Sequence, residues 1–99
     1  MEKPSCIVSR RMGCHHRDFF RNLPSAVGKR KYRIIDGSLI VIHDYGKRVE
    51  IELHRESERR LGMLRLPVTP VIFRFFAYSD REVEMFLNIF DKHYQRGGG

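Results

Sequence analysis

Cysteine is scarce in this chain, and no apolar run is long enough to cross a membrane. Cys6 and Cys14 are the only two cysteines, which favours free thiols in a reducing compartment and leaves a single disulfide open. The longest apolar run, 71–78, contains Arg74 and is far shorter than the roughly 20 residues of a membrane-spanning helix. The first residues lack the pattern of a secretory signal. We therefore expect a cytoplasmic protein without a membrane partner.

Motifs that identify common enzyme classes are also missing. The chain contains no P-loop, no dinucleotide-binding glycine pattern, no G-x-S-x-G and no H-E-x-x-H. Glu50 and Glu52 alternate outward on one predicted strand, where surface ion pairs are a better explanation than acid–base catalysis. We therefore predict that the protein is not an enzyme and carries no cofactor.

The length of the chain allows one domain with one core, since only 99 residues are available. We predict a single domain over residues 15–96, followed by a glycine tail at 97–99. Residues 1–14 contain a short apolar patch at 6–8, which allows either an edge strand or a flexible arm. Of these two interpretations we favour the arm.

The strongest strand signal is a hairpin in the first half of the chain. Asp36 and Gly37 separate the apolar runs 32–35 and 38–42. This dipeptide suits a type I′ turn, because both central residues of that turn need positive φ.

A second hairpin is predicted around Tyr45 and Gly46, followed by an alternating strand at 48–54. A turn centred on these two residues places Ile42 opposite Val49. The apolar faces of the two strands then coincide, so the register is self-consistent.

The next part of the chain is interrupted by prolines. Residues 55–60 have no apolar side chain and indicate an exposed loop or the ends of two strands. We predict one strand at 61–66 and another at 71–78, with a turn or bend between them, because Pro67 and Pro70 cannot donate to a ladder. Apolar residues on both faces of 71–78 favour a position inside the sheet or covered on both sides.

Helices are predicted on either side of the strands. Residues 15–27 indicate a short helix or irregular turn, stopped by Pro24 and Gly28. Ser79 and Glu82 have the S-x-x-E spacing of a capping box. The following helix carries one apolar stripe made of Val83, Phe86, Leu87, Phe90 and Tyr94. The predicted fold is α+β: an antiparallel meander of four or five strands, with a short N-terminal helix and a long C-terminal helix packed on the sheet.

Positive charge is concentrated in the N-terminal third of the chain. Residues 1–33 hold nine Lys or Arg against two acidic residues, whereas 34–99 is neutral overall. Such a segment attracts acidic macromolecules, although a solvated surface that keeps the protein soluble explains it too. We predict a small binding module, monomeric or homodimeric, that contacts an acidic protein partner, with nucleic acid as the alternative. The predicted binding residues are Arg17, Arg21, Lys29, Arg30, Lys31 and Arg33.

Aromatic residues among these basic residues are the argument for nucleic acid. Phe19, Phe20 and Tyr32 are interleaved with the arginines and lysines, and single strands are held by stacking together with phosphate contacts. The same phenylalanines are candidates for the core, and no RNP-type signature is present.

One cluster has the chemistry of a metal site: Cys6, Cys14, His15 and His16. Its spacing differs from the paired ligands of structural zinc sites. Cys14 with a distant histidine would also suit thiol-dependent catalysis. We rank metal binding and thiol chemistry below free thiols and surface histidines, and we predict no metal site.

Two stretches resemble a family of small uncharacterised bacterial proteins. They are H-H-R-D-F-F-R-N-L-P at 15–24 and the segment 66–99, which begins L-P-V-T-P-V-I-F-R-F-F. The resemblance covers most of residues 15–99. It implies a compact bacterial cytosolic domain and brings no established activity, ligand or partner.

Overall fold

The computed structural model describes residues 2–95, which form six strands and two helices. The strands are β1 (Cys6–Met12), β2 (Lys31–Ile35), β3 (Leu39–Asp44), β4 (Lys47–Leu53), β5 (Ser57–Leu61) and β6 (Leu64–Phe76). The helices are α1 (His16–Val27) and α2 (Asp80–Gln95). The predicted α+β class is confirmed, with six antiparallel strands. The glycine tail predicted at 97–99 lies outside the described residues.

The sheet places β6 at its centre. Its strand order is β1-β6-β4-β3-β2, and β5 pairs with the start of β6. Strands β2, β3 and β4 form the predicted meander, and the expectation that 71–78 supplies an interior strand is confirmed for the part of β6 between β1 and β4.

The two helices cover one face of the sheet, which we call the inner face. Phe90 of α2 meets Phe73 of β6 edge to face, with ring centroids 5.2 Å apart, and Phe86 meets Phe75 at 5.4 Å. Phe19 of α1 is fully buried in the same core. The inner-face core of the sheet consists of Ile40, Ile42, Val49, Ile51, Leu53, Val71, Phe73 and Phe75. No helix of the described chain covers the opposite side, the outer face.

Helix α2 forms as its sequence predicts. The Ser79 amide donates to Glu82 Oε1 at 2.9 Å, and the Glu82 amide donates to Ser79 Oγ at 3.2 Å, which completes the capping box. Four residues of the predicted stripe, at 83, 86, 87 and 90, are buried against the sheet, and Tyr94 packs at the rim of the core. Neither described helix is long and apolar enough to cross a membrane.

Helix α1 runs past the proline that was predicted to stop it. Pro24 lies inside the helix on its exposed side, and the helix ends at Gly28, whose amide donates to the Pro24 carbonyl at 3.1 Å. Ala26 and Val27 in the last turn are buried. Their packing outweighs the local cost of the proline, which is a tertiary effect that the local sequence does not show.

Both predicted hairpin turns are confirmed. Asp36 and Gly37 have φ of 52° and 73°, and Tyr45 and Gly46 have φ of 48° and 83°. Positive φ at both central residues is the requirement of a type I′ turn. The predicted pairing of Ile42 with Val49 is also observed.

The first residues form a strand, so the favoured expectation of a flexible arm is wrong for 6–12. Strand β1 pairs with β6 over its whole length, from Cys6 opposite Phe75 to Met12 opposite Thr69. The partner lies more than fifty residues away in the sequence, and the short apolar patch alone does not reveal it. Val8 is half-buried and packs against the core.

Strand β6 passes through both prolines without a break, which corrects the turn predicted between 66 and 71. The Pro70 carbonyl accepts from the His54 amide at 2.9 Å, so the Pro70 nitrogen faces the gap between β4 and β5. The Pro67 carbonyl faces the side of Gly13, beyond the end of β1. Neither proline therefore removes a donor that the ladder needs.

The predicted strand at 61–66 is instead the end of a hairpin. Leu61 pairs with Leu64 across Gly62 and Met63. Gly62 has φ of 61°, and Met63 has no positive φ, which matches a type II′ turn. We call residues 57–68 the β5–β6 hairpin. Every residue of β5 is exposed, as are the first three of β6.

Candidate functional site

The outer face of β6 carries a row of apolar side chains. Residues of a strand alternate between its two faces. Since Thr69, Val71 and Phe73 point into the core, the residues between them point outward. This outward row consists of Leu66, Val68, Pro70 and Ile72, all half-buried or exposed.

Two clefts lie side by side along this row. The first has a volume of about 650 Å³, and its lining includes Leu66, Val68, Ser57, Arg59 and Arg11. The second, of about 400 Å³, is lined by Pro70, Ile72, Ser9, His54 and again Arg11. The two clefts adjoin at Arg11, which borders both, and we call the pair the β6 groove.

The walls of the β6 groove are basic. Arg11 stands opposite Pro70 and Arg59 opposite Leu66 in the ladders, so both side chains project on the outer face, one from each side of β6. Among residues 2–95, no carboxylate oxygen lies within 4.0 Å of either guanidinium. Glu58 is the one acidic residue that lines the two clefts. The groove therefore combines an aliphatic floor with positive charge that is not neutralised.

On the outer face of β4 and β6 beside the groove, several charges are already paired. Arg74 donates to Glu52, and His54 Nε2 lies 3.3 Å from the other oxygen of that carboxylate. The hydrogen bond from Arg74 holds the pKa of Glu52 below its ordinary value. Arg48 lies 3.1 Å from Glu50 and stacks over the Phe76 ring at 4.0 Å. Arg48 and Arg74 are therefore engaged within the fold, unlike the arginines of the groove.

Helix α1 fixes the base of the hairpin. The Glu56 carboxylate accepts from the His16 amide at 3.2 Å and lies 2.7 Å from His15 Nδ1. His16 Nε2 also lies 2.8 Å from the His54 carbonyl. Since the N-cap residue His15 makes no side-chain cap of its own, Glu56 satisfies the start of the helix from a distant part of the chain. The hydrogen bond to His15 lowers the pKa of Glu56.

The six predicted binding residues do not share one surface. Arg30 is engaged within the fold, with its Nε 3.2 Å from Asp44 and its guanidinium over the Phe86 ring. Arg17 and Arg21 lie on α1, and both approach Asp18, at 3.9 and 3.5 Å.

The remaining three predicted residues are exposed. Lys31 and Arg33 lie on the outer face of β2, because Tyr32 between them packs against the core. They are thus on the opposite side of the sheet from α1. Lys29 lies in the connection before β2. None of the six lines the β6 groove, although Arg17 borders a small cleft with His15 and Glu56 beside the hairpin base.

The aromatic residues considered for stacking on bases are buried or half-buried. Phe19 is fully buried and stacks on Tyr94 at 5.1 Å. Phe20 is half-buried, edge to face with Phe19 at 5.9 Å, and Tyr32 packs partly against the core. The interpretation of both phenylalanines as core residues describes their positions better than a stacking platform.

The cysteine and histidine cluster is not gathered at one point. Both thiols are free and half-buried, and no group of three or more possible metal ligands occurs within residues 2–95. Burial raises the pKa of the Cys14 thiol, and the nearby charges of Asp18 and Glu56 raise it further. A raised pKa disfavours the thiolate that a nucleophile or metal ligand requires.

Comparison with known proteins adds no relative. No protein-family model, no curated protein and no solved structure matches this chain. The resemblance to a bacterial family therefore stays a prediction, and the function must be argued from the site itself.

The six predicted binding residues include neither arginine of the groove walls. Arg11 lies in the segment predicted as an arm, and Arg59 lies in a segment without apolar residues. The available signal is Gly62, because Gly62-Met63 between Leu61 and Leu64 puts a glycine at the first central position of a type II′ turn. A hairpin there would have placed Arg59 opposite Leu66 and exposed both.

Proposed function

We propose that this protein is a non-enzymatic binding module that holds an extended acidic segment of a protein partner in the β6 groove. The observation that carries the proposal is the pairing of an aliphatic floor with Arg11 and Arg59, which have no acidic partner among the described residues. Carboxylates of a partner would form charge-assisted hydrogen bonds with these guanidinium groups. Apolar side chains of the same partner would cover the floor.

The shape of the groove favours an extended segment. Its floor follows one strand from Leu66 to Ile72, a distance of about 20 Å at roughly 3.3 Å per residue. A segment of about seven residues in an extended conformation spans this length. Alternate side chains of such a segment point toward the floor, and those between them point away from it. The long side chains of Arg11 and Arg59 would extend along the edges of the segment to meet its carboxylates. The preferred ligand therefore alternates apolar and acidic residues.

The floor favours a protein over nucleic acid at this site. Single-stranded nucleic acids gain much of their affinity from bases stacked on aromatic rings. The floor residues Leu66, Val68, Pro70 and Ile72 are all aliphatic. Phosphates would satisfy the arginines but would leave this floor uncovered.

The proposal is tested with a fluorescein-labelled peptide of about seven residues that alternates glutamate and leucine. A matched peptide with glutamine in place of glutamate serves as the uncharged control. Fluorescence polarisation should show saturable binding of the acidic peptide that weakens with added salt. The glutamine peptide should bind about tenfold more weakly or worse, because charged hydrogen bonds contribute about 1.5–3 kcal/mol.

Protein variants locate the site. Arg59→Glu and Arg11→Glu should each weaken binding of the acidic peptide by about tenfold. Arg33→Glu is the matched control, because it makes the same charge change on an exposed outer-face residue outside the groove. Equal losses for all three variants, equal binding of both peptides, or absence of saturable binding at low salt would contradict the proposal. The nucleic-acid alternative would be favoured if single-stranded oligonucleotides displaced the peptide and bound the protein more tightly than the peptide does.

A further inference from the structure

The end of the β5–β6 hairpin carries apolar side chains that nothing in the described chain covers. We call residues 61–64 the hairpin tip. Met63 is fully exposed, and Leu61 and Leu64 are 52% and 62% exposed. Single exposed apolar residues are common, but three in a four-residue turn form a patch at the end of a projecting element.

Two arginines face each other directly behind the tip. Arg60 pairs with Arg65 in the ladder, so like charges stand side by side on one face of the hairpin. Such a pair destabilises the hairpin in isolation. Neither guanidinium has a carboxylate within 4.0 Å in residues 2–95. An anion placed against this face would convert the repulsion into attraction.

The other face of the hairpin is basic as well. Arg59 stands opposite Leu66, on the face away from Arg60 and Arg65. At the base of the hairpin, Arg55 and Arg17 are both exposed. Glu58, opposite Pro67, is the one acidic residue of the hairpin and lies on the face of Arg60 and Arg65. The hairpin is therefore a narrow two-stranded ribbon with a net positive charge on each face.

From this arrangement we propose that the β5–β6 hairpin is an arm that enters the major groove of double-stranded DNA. The major groove is about 12 Å wide and about 8.5 Å deep, and it admits a two-stranded ribbon. A groove presents a wall of phosphates on each side, which matches a ribbon with arginines on both faces. The apolar tip would meet base edges such as thymine methyl groups at the floor.

Other occupants of the tip fit less well. A second copy of the chain would bring Arg60 and Arg65 against a molecule that also carries a net charge of +7. Single-stranded nucleic acid would need aromatic rings, and 57–68 contains none. On a lipid surface, the three apolar side chains would bury less apolar area than a single acyl chain does. One acyl chain alone binds a protein to a membrane only marginally. The double helix therefore fits best, and anionic lipid becomes an outcome of the test.

This proposal shares Arg59 with the β6 groove but depends on Arg60, Arg65 and the hairpin tip, so its test is separate. The probe is a labelled DNA duplex of about 20 base pairs, titrated with the whole protein at several salt concentrations. The double variant Arg60→Glu/Arg65→Glu should bind at least about tenfold more weakly, with the slope of log affinity against log salt reduced by about two. Arg60→Lys/Arg65→Lys, which keeps the charge, should retain most of the binding.

The matched control is Arg81→Glu/Lys92→Glu, which makes the same charge change at two exposed positions of α2. It should weaken duplex binding by only about twofold to threefold, through long-range charge alone. Ile72→Ser, in the floor of the β6 groove and outside the hairpin, should weaken binding of the acidic peptide and leave duplex binding unaffected. Equal losses in the two double variants, or no duplex binding at low salt, would overturn the proposal. Binding to phosphatidylserine vesicles that excess duplex does not displace would overturn it as well.

Discussion

The two halves of β6 have opposite surroundings, although they form one continuous strand. Residues 69–76 lie between β1 and β4, and their inner side chains, such as Phe73 and Phe75, are completely buried. Residues 64–68 pair only with β5, and Leu64 is largely exposed. The boundary is Thr69, a buried residue whose hydroxyl donates to the Cys14 carbonyl at 2.7 Å.

This difference separates the residues that stabilise the fold from those that face outward. The second half of β6 anchors the aromatic core through Phe86 and Phe90 of α2. The first half exposes Leu64 and Leu66, together with Arg65, which stands opposite Arg60 of β5. These exposed side chains therefore contribute little buried apolar surface to the stability of the fold.

The largest expected effect contrasts Phe73 with Leu64. Phe73→Ala should lower the free energy of unfolding by about 3–5 kcal/mol, because it removes a fully buried ring and leaves a cavity. Leu64→Ala should change it by less than about 0.5 kcal/mol, since the side chain is mostly in water. Urea unfolding followed by circular dichroism measures both values. Similar losses in the two variants would show that the hairpin belongs to the stabilising core.

A smaller effect concerns Glu56, which joins the base of the hairpin to α1. Its pKa is depressed by the hydrogen bond to His15 and then by that from the His16 amide. A depressed pKa means that the contribution to stability is present above the ordinary value of 4.5 and is lost as pH falls below it.

The measurement is the urea midpoint of unfolding from about pH 6 to about pH 3 in wild type and Glu56→Gln. The urea midpoint of the variant should fall less over this pH range than that of the wild type, because the variant lacks the titrating carboxylate. Other acidic residues titrate in both proteins, so only the difference between the two curves reports on Glu56. Parallel curves would mean that this carboxylate does not couple the hairpin base to the helix.

Local signals were sufficient for much of the fold. The capping box at Ser79, the stripe of α2 and the turns at Asp36 and Tyr45 each depend on residues close together in the sequence. Each of these elements forms as predicted, and together they establish the α+β class.

The remaining features depend on partners that are distant in the sequence. Strand β1 forms by pairing with the edge of β6. Strand β6 continues through Pro67 and Pro70 because neither proline nitrogen faces a carbonyl that needs a hydrogen-bond donor. The β6 groove brings together Arg11 of β1 and Arg59 of β5. In the sequence, α1 and the strands β2, β3 and β4 lie between these two residues. Composition suggested that the basic N-terminal third forms the binding surface, but the fold distributes those residues over both sides of the sheet.

Native-state hydrogen exchange along β6 tests the division of this strand most directly. We predict that the amides of Phe73 and Phe75 exchange only through global unfolding, with a free energy equal to that from urea unfolding. The amides of Leu64 and Leu66 should exchange through local opening, at a much lower free energy that is insensitive to small amounts of urea. Equal protection across both halves would contradict the account, because the hairpin would then unfold only together with the core.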